Sequence, residues 1–221
     1  MNSAMPPFNP YIAEVNFSVD PSSVLAGFET YAEAKAWNDV NIATLSAGRS
    51  RADQELASIL SSCHRRRPCL SGACRVCMRE MRRWFASATA SLFNELSWEP
   101  GEGFAVTIVP GARWQPNHMN PGAVRAFKER VRELLDGAGL GDEVAIGGVD
   151  LSWNTSDGER EGHVRPHAYL LFPTLGSERH LKAALKARLL ATPDTPRPIR
   201  FRPLVNQVEA STYAMKAVLT R

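Results

Sequence analysis

Four cysteines lie close together in the chain, in the order Cys63-x5-Cys69-x4-Cys74-x2-Cys77. Four thiolates form the ligand set of many structural zinc sites, and a Cys-x2-Cys pair at the start of a helix supplies two of them from one turn. The spacing therefore predicts a structural Zn²⁺ held by Cys63, Cys69, Cys74 and Cys77. Two alternatives stay open: His64 could replace Cys63, or the Cys-x2-Cys pair could be a redox motif, although no thioredoxin-like βαβ pattern surrounds it.

A second polar group lies on two segments that we expect to pair as strands. His167 and Tyr169 are two residues apart, so in a strand their side chains share a face. Asp150, on the preceding strand, can project toward the same face. The last predicted helix carries Tyr213 and Lys216, which lie one turn apart on the same side.

The basic residues are concentrated in one part of the chain. The 221 residues carry 26 Lys and Arg against 23 Asp and Glu, a formal net charge of only +3. Residues 49–83, however, contain nine arginines, no lysine and three acids, whereas residues 1–48 are acidic. Arginine forks bind phosphate oxygens bidentately, so this stretch predicts nucleic-acid binding. The candidate contacts are Arg65, Arg66, Arg67, Arg75, Arg79, Arg82 and Arg83, with Arg165 from the later strand.

The hydrophobic pattern predicts an α+β protein in three parts. Residues 1–48 are expected to form a partly ordered N-terminal arm, residues 49–99 an Arg-rich helical zinc module, and residues 100–221 a palm domain. The palm is expected to follow the order β-α-β-β-α-β-α, a ferredoxin-like or RRM-like split βαβ with an added helix. Its predicted elements are strand 104–109, helix 120–135, strands 145–153 and 164–172, helix 177–190, strand 199–205 and helix 209–220. Helices are also predicted at 50–59 and 74–96.

This order, with the Pro166-His167 strand and the Tyr213-x-x-Lys216 helix, resembles the HUH endonucleases. That superfamily comprises rolling-circle replication initiators, relaxases and single-strand transposases. The cysteine cluster ahead of the palm resembles that of certain plasmid initiators and transposase relatives. The resemblance covers about residues 104–221 together with the cysteine module.

The resemblance implies a site for Mg²⁺ or Mn²⁺ and a tyrosine nucleophile. His167 would be the first histidine ligand, Asp150 the third ligand, Tyr213 the nucleophile that attacks a DNA phosphate, and Lys216 its electrostatic helper. Tyr169 stands where the family has its second histidine, and a neutral phenol with a pKa of about 10 is a poor ligand for a hard cation. The site could use Tyr169 as it is, be rebuilt with His118 or another acid, or be lost.

The sequence thus predicts a replication-initiator-like protein that binds single-stranded or hairpin DNA and nicks one strand through Tyr213. The alternative is a non-catalytic, zinc-containing nucleic-acid-binding protein with a degenerate palm, and a weaker third hypothesis is a zinc-stabilised protein-interaction module. No apolar run is long enough to predict a membrane span, and the first residues do not resemble a secretory signal. We therefore expect a cytoplasmic location.

Overall fold

The structure is a computed structural model, which describes residues 19–109, 111, 113–115, 119–154, 162–173 and 178–215. Within these residues it contains seven helices and one four-stranded antiparallel sheet, so the predicted α+β class is confirmed. None of the described helices is long and apolar enough to cross a membrane.

Four helices precede the sheet, and three alternate with its strands. The helices are α1 (Pro21–Val24), α2 (Tyr31–Ser46), α3 (Arg51–Ser61), α4 (Arg75–Glu95), α5 (Pro121–Gly137), α6 (Glu178–Arg188) and α7 (Gln207–Ala214). The strands are β1 (Gly103–Ile108), β2 (Ile146–Asn154), β3 (His163–Phe172) and β4 (Ile199–Leu204). Each helix or strand predicted from residue 50 onward is found within a few residues of its predicted position, and the predicted end of the last helix, 216–220, lies outside the described residues.

The sheet has the order β2-β3-β1-β4, and every neighbouring pair is antiparallel. β3 therefore lies between β1 and β2, while β4 forms the edge beside β1. The register places Asp150 opposite His167 and Thr107 opposite Tyr169. Because side chains alternate along a strand, these four residues belong to one face of the sheet.

The two faces of the sheet differ in chemistry. One face is apolar and packs against α5 and α6, with Val106, Phe127, Phe172 and Leu185 fully buried in the largest hydrophobic cluster. The other face carries the polar residues of β1, β2, β3 and β4. A smaller apolar cluster, formed from Phe93, Ala105, Leu171, Leu204 and Ala210, covers part of that face.

Helix α4 connects the cysteine segment to the sheet. Its first turn contains Cys77, and near its end Phe93 packs into the small cluster on the polar face, in contact with the Trp98 ring at 5.2 Å between centroids. Helix α7 packs beside α4. A Cβ on Gly148 would lie 2.8 Å from the Ala214 carbonyl oxygen, so glycine at this position lets the end of α7 approach β2 closely.

The segment predicted to be a partly ordered arm contains a 16-residue helix, α2, within its described part. Thr30 and Glu33 form a capping box, a start signal that the sequence carries. Periodicity could not reveal this helix because the residues it buries are an alanine and an amide, Ala34 and Asn38, rather than a stripe of large apolar side chains. The Asn38 side-chain oxygen accepts a hydrogen bond from the Arg75 backbone N–H at 3.2 Å, which joins α2 to the start of α4.

Several predicted features lie outside the described residues. These are Lys216, His118 and the first 18 residues of the predicted arm. Two helices begin at residues of types that favour N-caps: Ser50 caps α3, and Asn120 caps α5 with Pro121 in its first turn.

Candidate metal centre and nucleic-acid interface

The four cysteine sulfurs converge on one point. The Sγ atoms of Cys63 and Cys77 are 3.3 Å apart, those of Cys69 and Cys77 3.8 Å, and those of Cys63 and Cys74 3.7 Å. All four lie within 4.8 Å of one another. Sulfurs placed tetrahedrally about 2.3 Å from a zinc ion are separated by about 3.8 Å, so the cluster has the size that a Zn²⁺ requires. The four cysteines could therefore hold a metal ion.

Local backbone structure orients these sulfurs. Cys74 is the N-cap of α4, and its Sγ accepts a hydrogen bond from the Cys77 N–H at 3.4 Å. The Cys63 Sγ accepts from the Cys69 N–H, also at 3.4 Å. Leu70 adopts a left-handed backbone conformation with φ 52°, which turns the chain directly after Cys69. Backbone N–H groups that donate to sulfur stabilise thiolates, the form in which cysteine binds metals.

In the absence of a metal, the pKa values of the cysteine thiols are shifted in opposite directions. Hydrogen bonds from Cys74 and Cys63 lower the pKa of Cys77 to about 5, although burial opposes this. Burial raises the pKa of Cys63 to about 12, and the hydrogen bond with Cys77 together with burial raises that of Cys74. The hydrogen bonds among Cys63, Cys74 and Cys77 thus favour negative charge on Cys77, which a bound cation would compensate.

Three predicted phosphate contacts lie on an exposed loop next to this cluster. His64 and Arg67 exchange backbone hydrogen bonds of 3.3 and 2.8 Å, so Arg65 and Arg66 form the tip of a tight turn. All four residues are exposed. The loop leaves Cys63 and returns to Cys69, so a metal at the cysteines would fix both of its ends.

Three other predicted phosphate contacts form ion pairs inside the protein. Arg79 pairs with Glu80, Arg82 with Glu29, and Arg83 with both Asp20 and Glu80 at 2.8 and 2.9 Å. The side chains of Arg79, Arg82 and Arg83 are only 9%, 17% and 24% exposed. Two of their acidic partners are more than 45 residues away in sequence, so the ion pairs join separate parts of the chain. The buried Arg82 Nε has no hydrogen-bond partner among the described residues.

The remaining predicted arginine contacts are also partly occupied. Arg75 is half-buried in the first turn of α4. The Arg165 Nε donates to the His163 Nε2 at 3.2 Å, and its Nη1 donates to the Asp194 carbonyl. Arg165 therefore orients a buried histidine and a loop.

The polar face of the sheet brings together most residues of the predicted catalytic site. Asp150 lies opposite His167 on neighbouring strands, Tyr169 follows on the same face, and the Tyr169 and Tyr213 rings are in contact at 4.8 Å between centroids. The His167 Nε2 is 3.2 Å from the Ser152 hydroxyl. Helix α7 thus places Tyr213 beside the strand positions that the sequence predicted.

In the described part of the chain, the cysteine cluster is the only group of three or more His, Cys, Asp or Glu side chains close enough to share an ion, so Asp150 and His167 have no third ligand of these types. Tyr169 is a poor substitute for the missing histidine, because burial and the nearby Tyr213 raise the pKa of its phenol, which disfavours phenolate.

Sequence reasoning missed two arginines on the edge strand. Arg200 and Arg202 lie opposite Thr107 and Ala105, so they share the polar face, and both are exposed. With Tyr169, Tyr213 and Glu209 they line a cavity of about 430 Å³ between β4 and α7, which we call the β4–α7 groove. The alternation of Ile199, Arg200, Phe201 and Arg202 was the available signal, because it puts both arginines on the face opposite the apolar core.

No family model, no curated protein and no solved structure matches this chain.

Proposed function

We propose that the protein binds single-stranded DNA across the polar face of its sheet. The observation that carries this proposal is the β4–α7 groove, in which the exposed Arg200 and Arg202 lie beside the Tyr169–Tyr213 ring pair. Single-stranded nucleic acids are commonly held by guanidinium groups that follow the backbone and by aromatic rings on which bases stack. Tyr213 is 51% exposed, so part of its side chain borders the solvent in the groove.

The sheet order supports a ferredoxin-like palm within this proposal. β3 lies between β1 and β2, and β4 lies outside β1, which is the arrangement of a split βαβ. Such a sheet leaves one face open when both crossover helices pack on the other, as α5 and α6 do here. The open face is then the natural position for a ligand.

The cysteine cluster is proposed to hold a structural Zn²⁺ that presents the loop of Arg65, Arg66 and Arg67 to the phosphate backbone. The donor set supports this, since four converging sulfurs suit zinc better than a hard cation. The ion would fix both ends of the loop. Four unpaired cysteines also support the proposal of a reducing, cytoplasmic setting.

Substitution of both groove arginines tests this function. Arg200→Ala with Arg202→Ala should weaken binding of a fluorescent single-stranded oligonucleotide by at least about tenfold and reduce the salt slope by about 1.4, the value for two lost phosphate contacts. The control is Arg130→Ala with Arg132→Ala, which removes the same charge from exposed positions of α5, on the other side of the sheet. An equal loss in both double variants, or no loss in either, would refute the groove as the interface.

A second candidate function is DNA nicking through Tyr213, favoured by the cross-strand pair Asp150–His167 next to the tyrosine pair. In this reaction the Tyr213 oxygen attacks phosphorus, the 3′-oxygen leaves, and a 5′-phosphotyrosine conserves the phosphodiester energy. Mg²⁺ or Mn²⁺ at Asp150 and His167 would polarise the phosphate. Lys216 is proposed as the helper of Tyr213.

Incubation with single-stranded DNA and Mn²⁺, followed by a denaturing gel, tests this candidate. Wild type should give little covalent adduct because Tyr169 is a poor ligand, Tyr169→His should increase the adduct, and adding Tyr213→Phe should abolish it. Tyr169→Phe is the matched control, since it alters the same position without supplying a ligand. An adduct that persists in the Tyr213→Phe variant would exclude Tyr213 as the nucleophile. If the Tyr169→His variant forms no adduct, the nicking function is refuted and DNA binding is retained as the proposed function.

A further inference from the structure

We propose that Arg79, Arg82 and Arg83 form a second nucleic-acid-binding site on α4, which residues 20–29 of the same chain close by occupying it. This site requires an oligonucleotide ligand and in that sense rests on the proposed nucleic-acid binding, but it involves no residue of the β4–α7 groove. The sequence assigned these arginines to nucleic acid, and the structure finds each of them paired with an acid.

The carboxylates in this site take the place that phosphates would take. Both Asp20 oxygens accept from one guanidinium: Oδ1 from the Arg83 Nε at 3.1 Å and Oδ2 from its Nη2 at 2.8 Å. This is the fork geometry with which arginine also binds phosphate. Glu29 occupies Arg82 through its carboxylate and Arg79 through its carbonyl oxygen, the latter at 2.9 Å from Nε.

Phe28 lies between these two acids in the sequence and occupies the position in which a base would stack on the arginines. The Arg82 guanidinium carbon lies 5.1 Å from the Phe28 ring centroid, and that of Arg79 lies 5.6 Å from it. An aromatic ring against two guanidinium groups, with an anion on either side of it in sequence, has the chemistry of a short stretch of single-stranded nucleic acid. The covering segment therefore resembles the ligand that the site would bind.

Residues 20–29, which we call the cover, are held mainly by these polar contacts. Within residues 20–29, Pro21 is the one buried residue, and Leu25 and Phe28 are the apolar side chains that are half-buried. Val24 is 57% exposed. Little apolar area would be lost if the segment moved away, and incoming phosphates would replace the carboxylates, so the buried guanidinium groups would not be left without anions.

Removal of the two acidic side chains, Asp20 and Glu29, should open the α4 site. Asp20→Asn with Glu29→Gln is expected to raise the affinity for a fluorescent single-stranded oligothymidylate of about 20 nucleotides by about tenfold. The salt slope should become steeper by about 2, the value for three added phosphate contacts on a single strand. Asp39→Asn with Glu55→Gln is the control, because it makes the same change in net charge at two exposed ion pairs. An equal gain in the control would overturn the proposal.

A charge-neutral variant and a measurement on the wild type complete the test. Phe28→Ala should also raise affinity, since it loosens the cover without altering charge, and unchanged affinity in both Phe28→Ala and the double variant would overturn the proposal. Hydrogen exchange on the wild type avoids any folding defect. A saturating oligonucleotide should speed exchange of the amides of Ser22, Leu25 and Phe28, which are hydrogen-bonded within the cover. Unchanged exchange would overturn the proposal.

The two sites can fail separately. If Arg200→Ala with Arg202→Ala weakens binding while Asp20→Asn with Glu29→Gln leaves the affinity unchanged, the groove is supported as the interface and the α4 site is refuted. If opening the cover strengthens binding while the groove variant behaves as wild type, the α4 site stands and the groove is not the interface.

Discussion

The helical region of residues 20–95 and the polar face of the sheet use charged and polar residues in different ways. In the helical region they bind one another: four sulfurs converge, and Asp20, Glu29 and Glu80 occupy the arginines of α4. On the sheet face Arg200, Arg202 and Tyr213 are exposed. A count of positive residues alone would choose the first region as the interface. The arginines of α4, however, can bind a ligand only if the acids that hold them are displaced, whereas Arg200 and Arg202 are already exposed.

This difference predicts that the same kind of substitution will affect stability in one region and binding in the other. The largest effect is expected at the cysteine cluster. Cys74→Ser removes one of four ligands at a fully buried position, and structural zinc sites contribute about 10 kcal/mol of binding free energy to folding. If the cluster holds the proposed zinc, the variant should contain less zinc than wild type, measured by atomic emission, and should lose the cooperative melting of the helical region.

Ser71→Ala, a substitution in the same loop, is the control and should keep the metal. Chelation of the wild type should reproduce the Cys74→Ser melting curve and make all four thiols reactive toward iodoacetamide. Purified protein without zinc, or an unchanged melt after chelation, would show that the cluster is not a metal centre.

A smaller effect is expected at the ion pairs of α4. Glu80 is 7% exposed and accepts from both Arg79 and Arg83, so Glu80→Gln leaves a buried guanidinium without its charged partner. Loss of one partner of a buried pair costs about 3 kcal/mol or more. Urea unfolding followed by circular dichroism measures the change. Glu209→Gln, the same substitution at an exposed residue of the groove, should leave stability within about 0.5 kcal/mol of wild type. Equal effects would erase the proposed distinction between the two regions.

The sequence predicted much of this architecture because its signals are local. The Cys-x2-Cys spacing, the N-cap Asn120 and the β-branched run of β1 act within a few residues, and the corresponding metal-sized cluster, helix start and strand are found. Helix α2 was missed because it buries Ala34 and Asn38 instead of an apolar stripe.

The pairing of charges was harder to predict than the elements. Arg83 meets Asp20 across 63 positions, and Arg79 meets the Glu29 carbonyl across 50. Nothing in a single sequence indicates which acid will reach which arginine once the helices pack. The same limit applies to the sheet face: the sequence places His167 and Tyr169 on one face, but the contact of Tyr169 with Tyr213 of α7 depends on how the chain folds back.

The smallest expected effect is the dependence of the Asp20–Arg83 contact on pH. Burial alone would raise the pKa of Asp20, but hydrogen bonds from Arg83 and Ser22 outweigh it and lower the pKa to about 2. A carboxyl whose pKa is lower in the folded state than in the unfolded state, where it is about 3.9, stabilises the fold above that higher value and loses the effect as the pH falls toward the lower one. Wild type should therefore exceed Asp20→Asn in urea midpoint at pH 7, and the difference should shrink between about pH 4 and pH 2. A difference that is constant over this range would mean that the charge of Asp20 is not what stabilises the protein. The absence of any difference would mean that Asp20 acts only as the N-cap of α1, a role that an asparagine also fills.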